Sequence, residues 1–163
     1  MLHIHDMWAS MNDKLETART DVVTEVGREC LLSRTRKISR VITNLYDHAV
    51  REHGINSTQL SLLATIAKLG GASRAEIGRA NHQERSTLTR NLALLLDQGW
   101  VDELAPQGRT RPIVISAAGR KLLVEAAPAW RKAQIEARRL LGSEGASALI
   151  AMADSLSSGA LSD

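Results

Sequence analysis

Apolar residues recur at three- and four-residue steps through much of the chain, and breaks in that rhythm divide it into elements. From about Gly27 to His53, Leu31, Ile38, Val41, Ile42, Leu45 and Ala49 keep helical spacing, while Arg34, Arg36, Lys37 and Arg40 take other faces. At about 1.5 Å per residue that helix is roughly 35–40 Å long. Gly54 stands where a glycine C-cap would end it. Asn56 and Gln59 are spaced as a capping pair before the run LSLLATIAKL, a second helix stopped by Gly70-Gly71. Ser73 and Glu76 form a cleaner capping box and open a very short helix that ends near Ala80. Asn81 and His82 make a tight turn, and asparagine tolerates the left-handed conformation such turns need. ERSTLTRNLALLLDQ follows as a fourth helix to about Gln98, with Gly99 as its stop.

After Gly99 the period changes. WVDEL and PIVIS are short, β-branched or aromatic, and separated by APQGRTR, a hairpin with a basic, glycine-containing tip. Ser116 caps the next helix, AAGRKLLVEAAPAWRKAQIEARRLL, which Pro128 is expected to kink or split. Gly142 terminates it, and Ser143 can cap a last helix reaching about Leu156. Residues 1–20 show no clear period and read as a loose arm, or a short helix that needs a partner to settle.

Two helices joined by a tight turn, with small residues Gly78 and Ala80 in the first, describe a helix-turn-helix, and the hairpin after it is a wing. The expected fold class is mainly α with a small β-wing: a winged helix-turn-helix lobe flanked by N- and C-terminal dimerisation helices. The expected division is 1–54 for the arm and first dimerisation helix, 55–116 for the DNA-binding lobe and 117–163 for the C-terminal dimerisation helices. A long amphipathic helix at each end of a small lobe needs a cover for its apolar face, and the simplest cover is a second copy of the chain.

On a helical wheel at about 100° per residue, Leu88, Leu92, Leu95 and Leu96 of the fourth helix cluster on one side. Gln83, Ser86, Thr87 and Arg90 cluster opposite, all within the first two turns. Leu94 falls near the polar side and is expected to pack under the wing. The start of the second helix of such a motif enters the major groove, where hydroxyls bond phosphates or bases and arginine bonds guanine in bidentate fashion. Arg109 and Arg111 flank the wing tip, where Gly108 permits a sharp turn and a tip arginine can enter the minor groove. Taken singly, a capped helix start and a solvated loop arginine are the plainer readings; the succession of motifs favours nucleic acid.

Composition agrees. Aromatics are scarce and phenylalanine is absent, so the core has to come from Leu, Ile, Val and Ala, which suits helices. Net charge is +3, which permits a nucleic-acid partner without demanding one. One cysteine rules out an internal disulfide framework and fits a reducing, cytoplasmic setting. No apolar run is long enough to span a membrane, and the N-terminal residues lack the pattern of a secretion signal.

In these elements the chain resembles the MarR family of transcriptional regulators. The resemblance rests on NSTQLSLLATIAK, on SRAEIGRA with ERSTLTRNLALLLDQGWV, and on QGRTRPIVISAAGRKLL. With RKISRVITNLYD before and APAWRKAQ after, it covers about residues 28–142. It implies a winged-helix homodimer, usually a repressor, that binds a pseudo-palindromic operator in double-stranded DNA and is commonly released by a small, often phenolic, molecule or an oxidant. It places Ser86, Thr87 and Arg90 on recognition-helix contacts and Arg109 on the wing arginine. It also places a small-molecule pocket between the DNA-binding lobe and the dimerisation helices. Two positions depart from the family pattern: Gln107 stands where an aspartate usually braces the wing arginine, and Asn81 where glycine is frequent.

Cys30, near the start of the first long helix, is a redox-sensing candidate; the plainer reading is a small buried apolar residue. Arg28 and the helix N-terminus would lower its thiol pKa, and Glu29 would oppose that. His3 and His5 supply only two ligands on a loose arm, a poor metal site, and no cofactor is implied. No nucleophile–base pair or glycine-rich phosphate loop supports an enzyme. The remaining rival is a winged helix used for protein contact without sequence-specific DNA binding.

Overall fold

The computed structural model describes residues 3–106, 108 and 110–157, the side chains of 3–10, 13, 17 and 157 apart. Two compact units divide the chain, Met1–Val41 and Ile42–Asp163.

The first unit holds α1 (His3–Glu29) and the start of α2 (Leu31–Val50). A loose arm or short helix is the expectation for residues 1–20; of these, residues 3–20 belong instead to a 27-residue helix, and residues 1 and 2 lie outside the described residues. Residue preference rather than apolar period explains it. Met, Ala, Lys, Leu, Glu and Arg are good helix formers, no proline intervenes, and Glu16 pairs with Arg19 at 2.9 Å one turn on. Cys30 lies in the interruption between the two helices. Arg34 reaches back to the carbonyls of Gly27 and Arg28, at 2.6 and 2.9 Å, and so satisfies acceptors that the end of α1 leaves open.

In the second unit the punctuation is local and behaves as its chemistry dictates. A 3-10 turn at Arg51–His53 ends at Gly54, φ 70°. α3 (Ser57–Leu69) opens with the Asn56–Gln59 capping box and closes at Gly70, φ 68°. α4 (Arg74–Ala80) opens with the Ser73–Glu76 box. The Ser73 hydroxyl and then its N–H hold the Glu76 carboxyl below the usual carboxylate range. α5 (Arg85–Asp97) follows, then β1 (Val101–Glu103) and β2 (Ile113–Ile115), paired antiparallel with Asp102 opposite Val114. Ala72 exchanges both backbone hydrogen bonds with Ile113, at 2.8 and 3.1 Å, so the α3–α4 connection is laced to the base of the hairpin.

α6 (Ala117–Ser157) is broken at Gly142, φ 73° and ψ 161°, and not at Pro128, where the dihedrals stay helical. A proline costs a helix one hydrogen bond and crowds the carbonyl four residues back. Here Val124 and Pro128 both lie on the exposed side of the helix, where water can take the freed carbonyl. Ser116 caps α6: its Oγ accepts from Gly119 N at 3.0 Å and donates to Gly99 O at 2.7 Å.

The core is aliphatic. Leu62, Leu63 and Ile66 of α3 meet Ile77 of α4, Leu88, Leu92 and Leu95 of α5, Val101 and Ile113 of the hairpin, and Ala126 of α6. Leu96, expected as an anchor, is half-buried against this cluster. Leu94, expected under the wing, is exposed. No helix among the described residues is long and apolar enough to cross a membrane. The side chains of His3 and His5 lie outside the described residues.

Candidate nucleic-acid interface

The turn between α4 and α5 is set by close packing. A Cβ at Gly78 would sit 3.2 Å from Leu88 Cδ2 and 3.5 Å from the Gln83 carbonyl oxygen, so only glycine lets the helices approach this closely without a shift. Gln83 N donates to Gly78 O at 3.0 Å. The left-handed residue is His82, φ 48°, and not Asn81, which lies at φ −103°. Thr65 of α3 holds Asn81 there by donating to its Oδ1 at 3.1 Å, and the reversal passes to the next residue.

α5 then starts without a side-chain cap: Glu84 occupies the N-cap and its carboxylate makes no bond to the first turn. The first N–H groups of the helix are therefore left to an outside acceptor, with the partial positive charge of the helix end behind them. Ser86, Thr87 and Arg90 are exposed here, and no side-chain bond or ion pair among the described residues engages them. Thr89, between them in sequence, is tied back to Arg85 O at 2.7 Å.

Gln83 behaves differently from the other three. It is half-buried, and its Oε1 is fully buried with no hydrogen-bond partner. It lines a groove of about 930 Å³ between α4, α5 and the return arm of the hairpin. Arg74, Arg79, Arg85 and Arg111 line the same groove. Arg111 thus stands beside the α5 start, with a carboxylate oxygen of Glu103 at 3.9 Å. Gln107 and Arg109 lie outside the described residues. The sequence reading passed over Arg74, Arg79 and Arg85, because a single-helix wheel ranks residues against one axis only. Arginines at 74, 79, 85 and 90 bracketing one short turn were the available signal.

A second concavity, about 480 Å³, lies between α2, α3 and α6. Ile42, Leu60, Ala64, Leu123, Ala127 and Trp130 give it apolar walls, and Thr43, Tyr46, Ser57 and Ser61 give it hydroxyls. The Tyr46 hydroxyl donates to Gln134 Oε1. Burial pushes the Tyr46 phenol up, against a smaller opposing pull from Arg138. No residue lining this cavity is charged.

Cys30 belongs to the first unit and is partly buried. Its thiol is held below the ordinary range by the Ser33 backbone N–H, then by the Ser33 hydroxyl, with Arg36 adding a weaker pull. Arg28 and Glu29, the neighbours expected to matter, are not among the causes. Among the described residues no group of three or more metal-ligating side chains forms.

Comparison with known proteins agrees with this geometry. The MarR family model matches residues 53–111. Among solved structures, the transcriptional regulator MosR of M. tuberculosis, in complex with DNA, is 37% identical, with TM-score 0.63 over 68% of this chain and 82% of its own. A MarR variant from E. coli in complex with operator DNA is 16% identical, with TM-score 0.72 over 81% of this chain and 96% of its own. Bordetella bronchiseptica BpsR, described for regulation of its DNA binding by 6-hydroxynicotinic acid, is 14% identical, with TM-score 0.70 over 80% and 96%. At those identities the last two bear on the fold alone. No curated protein matches the chain significantly by sequence. With its helix-turn-helix, its wing and its likeness to MosR, the chain belongs to the MarR family of transcriptional regulators.

Proposed function

We propose that the chain is a homodimeric repressor that binds a pseudo-palindromic operator, with residues 55–116 as the reading lobe and 1–54 and 117–163 as dimerisation segments. The observation that carries this reading is the start of α5, where Ser86, Thr87 and Arg90 are exposed and unengaged beside an uncapped helix end. That set offers hydroxyls, a bidentate donor and free N–H groups to one strand of a duplex. Arg111, and Arg109 by its place in sequence, supply the wing contact. Gln83 contributes from within the groove rather than from the outer face. In a dimer the two α5 helices would enter successive major grooves roughly 34 Å apart.

Release by a small molecule fits the cavity of about 480 Å³. Walls without charge disfavour an ionised ligand, since a buried carboxylate without a partner is costly. The effector is therefore a neutral, mostly apolar molecule with one or two hydrogen-bonding groups to meet Thr43, Ser57 and Ser61. An oxidant acting at Cys30 is the second route, favoured by the lowered thiol pKa.

The test is fluorescence anisotropy with the duplex that the chain itself selects from a random pool. Parent binding is expected to fall steeply as salt rises. Arg90→Ala is expected to weaken binding by about 1–3 kcal/mol and to relax base preference. Equal binding by parent and variant would remove Arg90 from the interface. Affinity that ignores salt would favour a protein-contact module. In the same assay neutral aromatic ligands are expected to release DNA where benzoate does not.

A further inference from the structure

The loop from Leu104 to Pro112 carries two arginines and no acidic residue, so no carboxylate of its own can pair with them. Its base is nevertheless engaged by a carboxylate. Glu103, the last residue of β1, is three-quarters buried as a side chain and places its two oxygens on two different segments. Oε1 accepts from Arg74 Nη1, the first residue of α4, at 2.6 Å; Oε2 lies 3.9 Å from Arg111 Nη1 on the return arm. The Arg74 contact spans 29 residues of sequence. Arg74 and Arg111 both line the groove beside the start of α5. Glu76, in the first turn of α4, is spent on the Ser73 capping box.

We propose that Glu103 is a positioning residue for DNA binding: it holds Arg111 and the return arm of the wing in register with the start of α4, and through it with the recognition helix. The inference rests on the DNA-binding reading above. Its physical content is a question of sign. If Glu103 were only a negative charge near a polyanion, removing it would strengthen binding, by removing repulsion and freeing two arginines. If it is a brace, removing it lets Arg111 wander from its phosphate, and binding weakens although the protein has become more basic. An ion pair at this exposure is worth up to about fivefold in an equilibrium, and a chain of two arginines on one carboxylate stands at the upper end of that range.

The experiment compares the parent with Glu103→Gln, which keeps the size and removes the charge. Two readouts are taken: DNA affinity across a salt series, and hydrogen exchange of the free protein at the Leu104 and Ile113 amides. Those amides donate to Pro112 O and Ala72 O, at 2.8 Å each, and report the wing base directly. The brace predicts about fivefold weaker binding at moderate salt. It also predicts a salt slope shallower by about one, because one phosphate contact is lost. Exchange at Leu104 is expected to accelerate. A variant that is merely less well folded would lose active fraction and keep its slope, so weakening without a change of slope overturns the proposal. Equal or tighter binding overturns it as well. If the parent itself shows no salt-dependent binding, the DNA reading has failed. The exchange data then decide whether Glu103 still braces the wing base, unchanged exchange ending that idea too.

Discussion

Gly119 shows how a single hydrogen atom in place of a methyl group can fix a junction. A Cβ there would lie well inside contact of the Trp100 carbonyl oxygen and 2.9 Å from Ile115 Cγ1. The carbonyl cannot retreat, because it accepts from Ser116 N at 3.1 Å. Alanine is the better helix former, so local preference alone favours Gly119→Ala. The close approach reverses that sign, and the variant is expected to be less stable by about 3 kcal/mol, the upper end for overpacking. Urea unfolding measures it, and an unchanged midpoint would show that the junction yields. Nothing in AAGRKLL announces this glycine, since the obstructing atom comes from 19 residues earlier. His82 was hidden for the same reason: the Thr65 hydroxyl that keeps Asn81 out of the left-handed region lies on another helix. Glu103 was hidden too, its two partners standing on two other segments of the chain. The capping boxes at Asn56 and Ser73 were legible because donor and acceptor sit three residues apart.

Elements repeat the lesson at larger size. Helix stops at Gly54, Gly70 and Gly142 were readable from glycine's freedom at positive φ. Pro128 was over-read, because the rule that proline breaks helices ignores which side of the helix carries the lost bond. α1 was under-read, because a helix supported by residue preference and neighbouring charges leaves little apolar period to find. The boundary between α1 and α2 has a chemical consequence. With the Ser33 N–H and hydroxyl favouring the thiolate, Cys30 is expected to ionise at lower pH than a free thiol. Its alkylation by iodoacetamide should therefore reach its plateau at lower pH than that of a model thiol, and Ser33→Ala should shift that profile back upwards. A profile matching the model thiol would refute the assignment. Cys30→Ser is expected to abolish any loss of DNA binding on peroxide treatment; a response that persists would remove Cys30 from oxidant control.

At the scale of the whole molecule, the second unit has a well-filled aliphatic core and yet leaves much apolar surface outside it. On α6, Val124, Ile135, Leu140, Met152 and Leu156 are all more than half exposed. Contiguous exposed apolar patches mark surfaces that another chain covers. On the proposed reading the cover is a second copy. Ile135→Lys with Leu140→Lys is expected to shift the sedimenting species from dimer to monomer and to weaken operator binding by more than tenfold, because one half-site then binds alone. A parent that sediments as a monomer, or a variant that stays dimeric, would relocate the interface.

The lacing of Ala72 to Ile113 bears on what such a regulator can tolerate in its target. Through those two backbone bonds the hairpin base and the lead-in to α4 move as one piece, while α4 and α5 are locked by the close approach at Gly78. On the proposed reading, the spacing within one half-site between the bases read in the major groove and the neighbouring minor groove is then closely held. An inserted base pair there is expected to weaken binding. Between half-sites no such rigid link is required, so variation in natural targets should collect at the centre of the palindrome and be absent inside its arms.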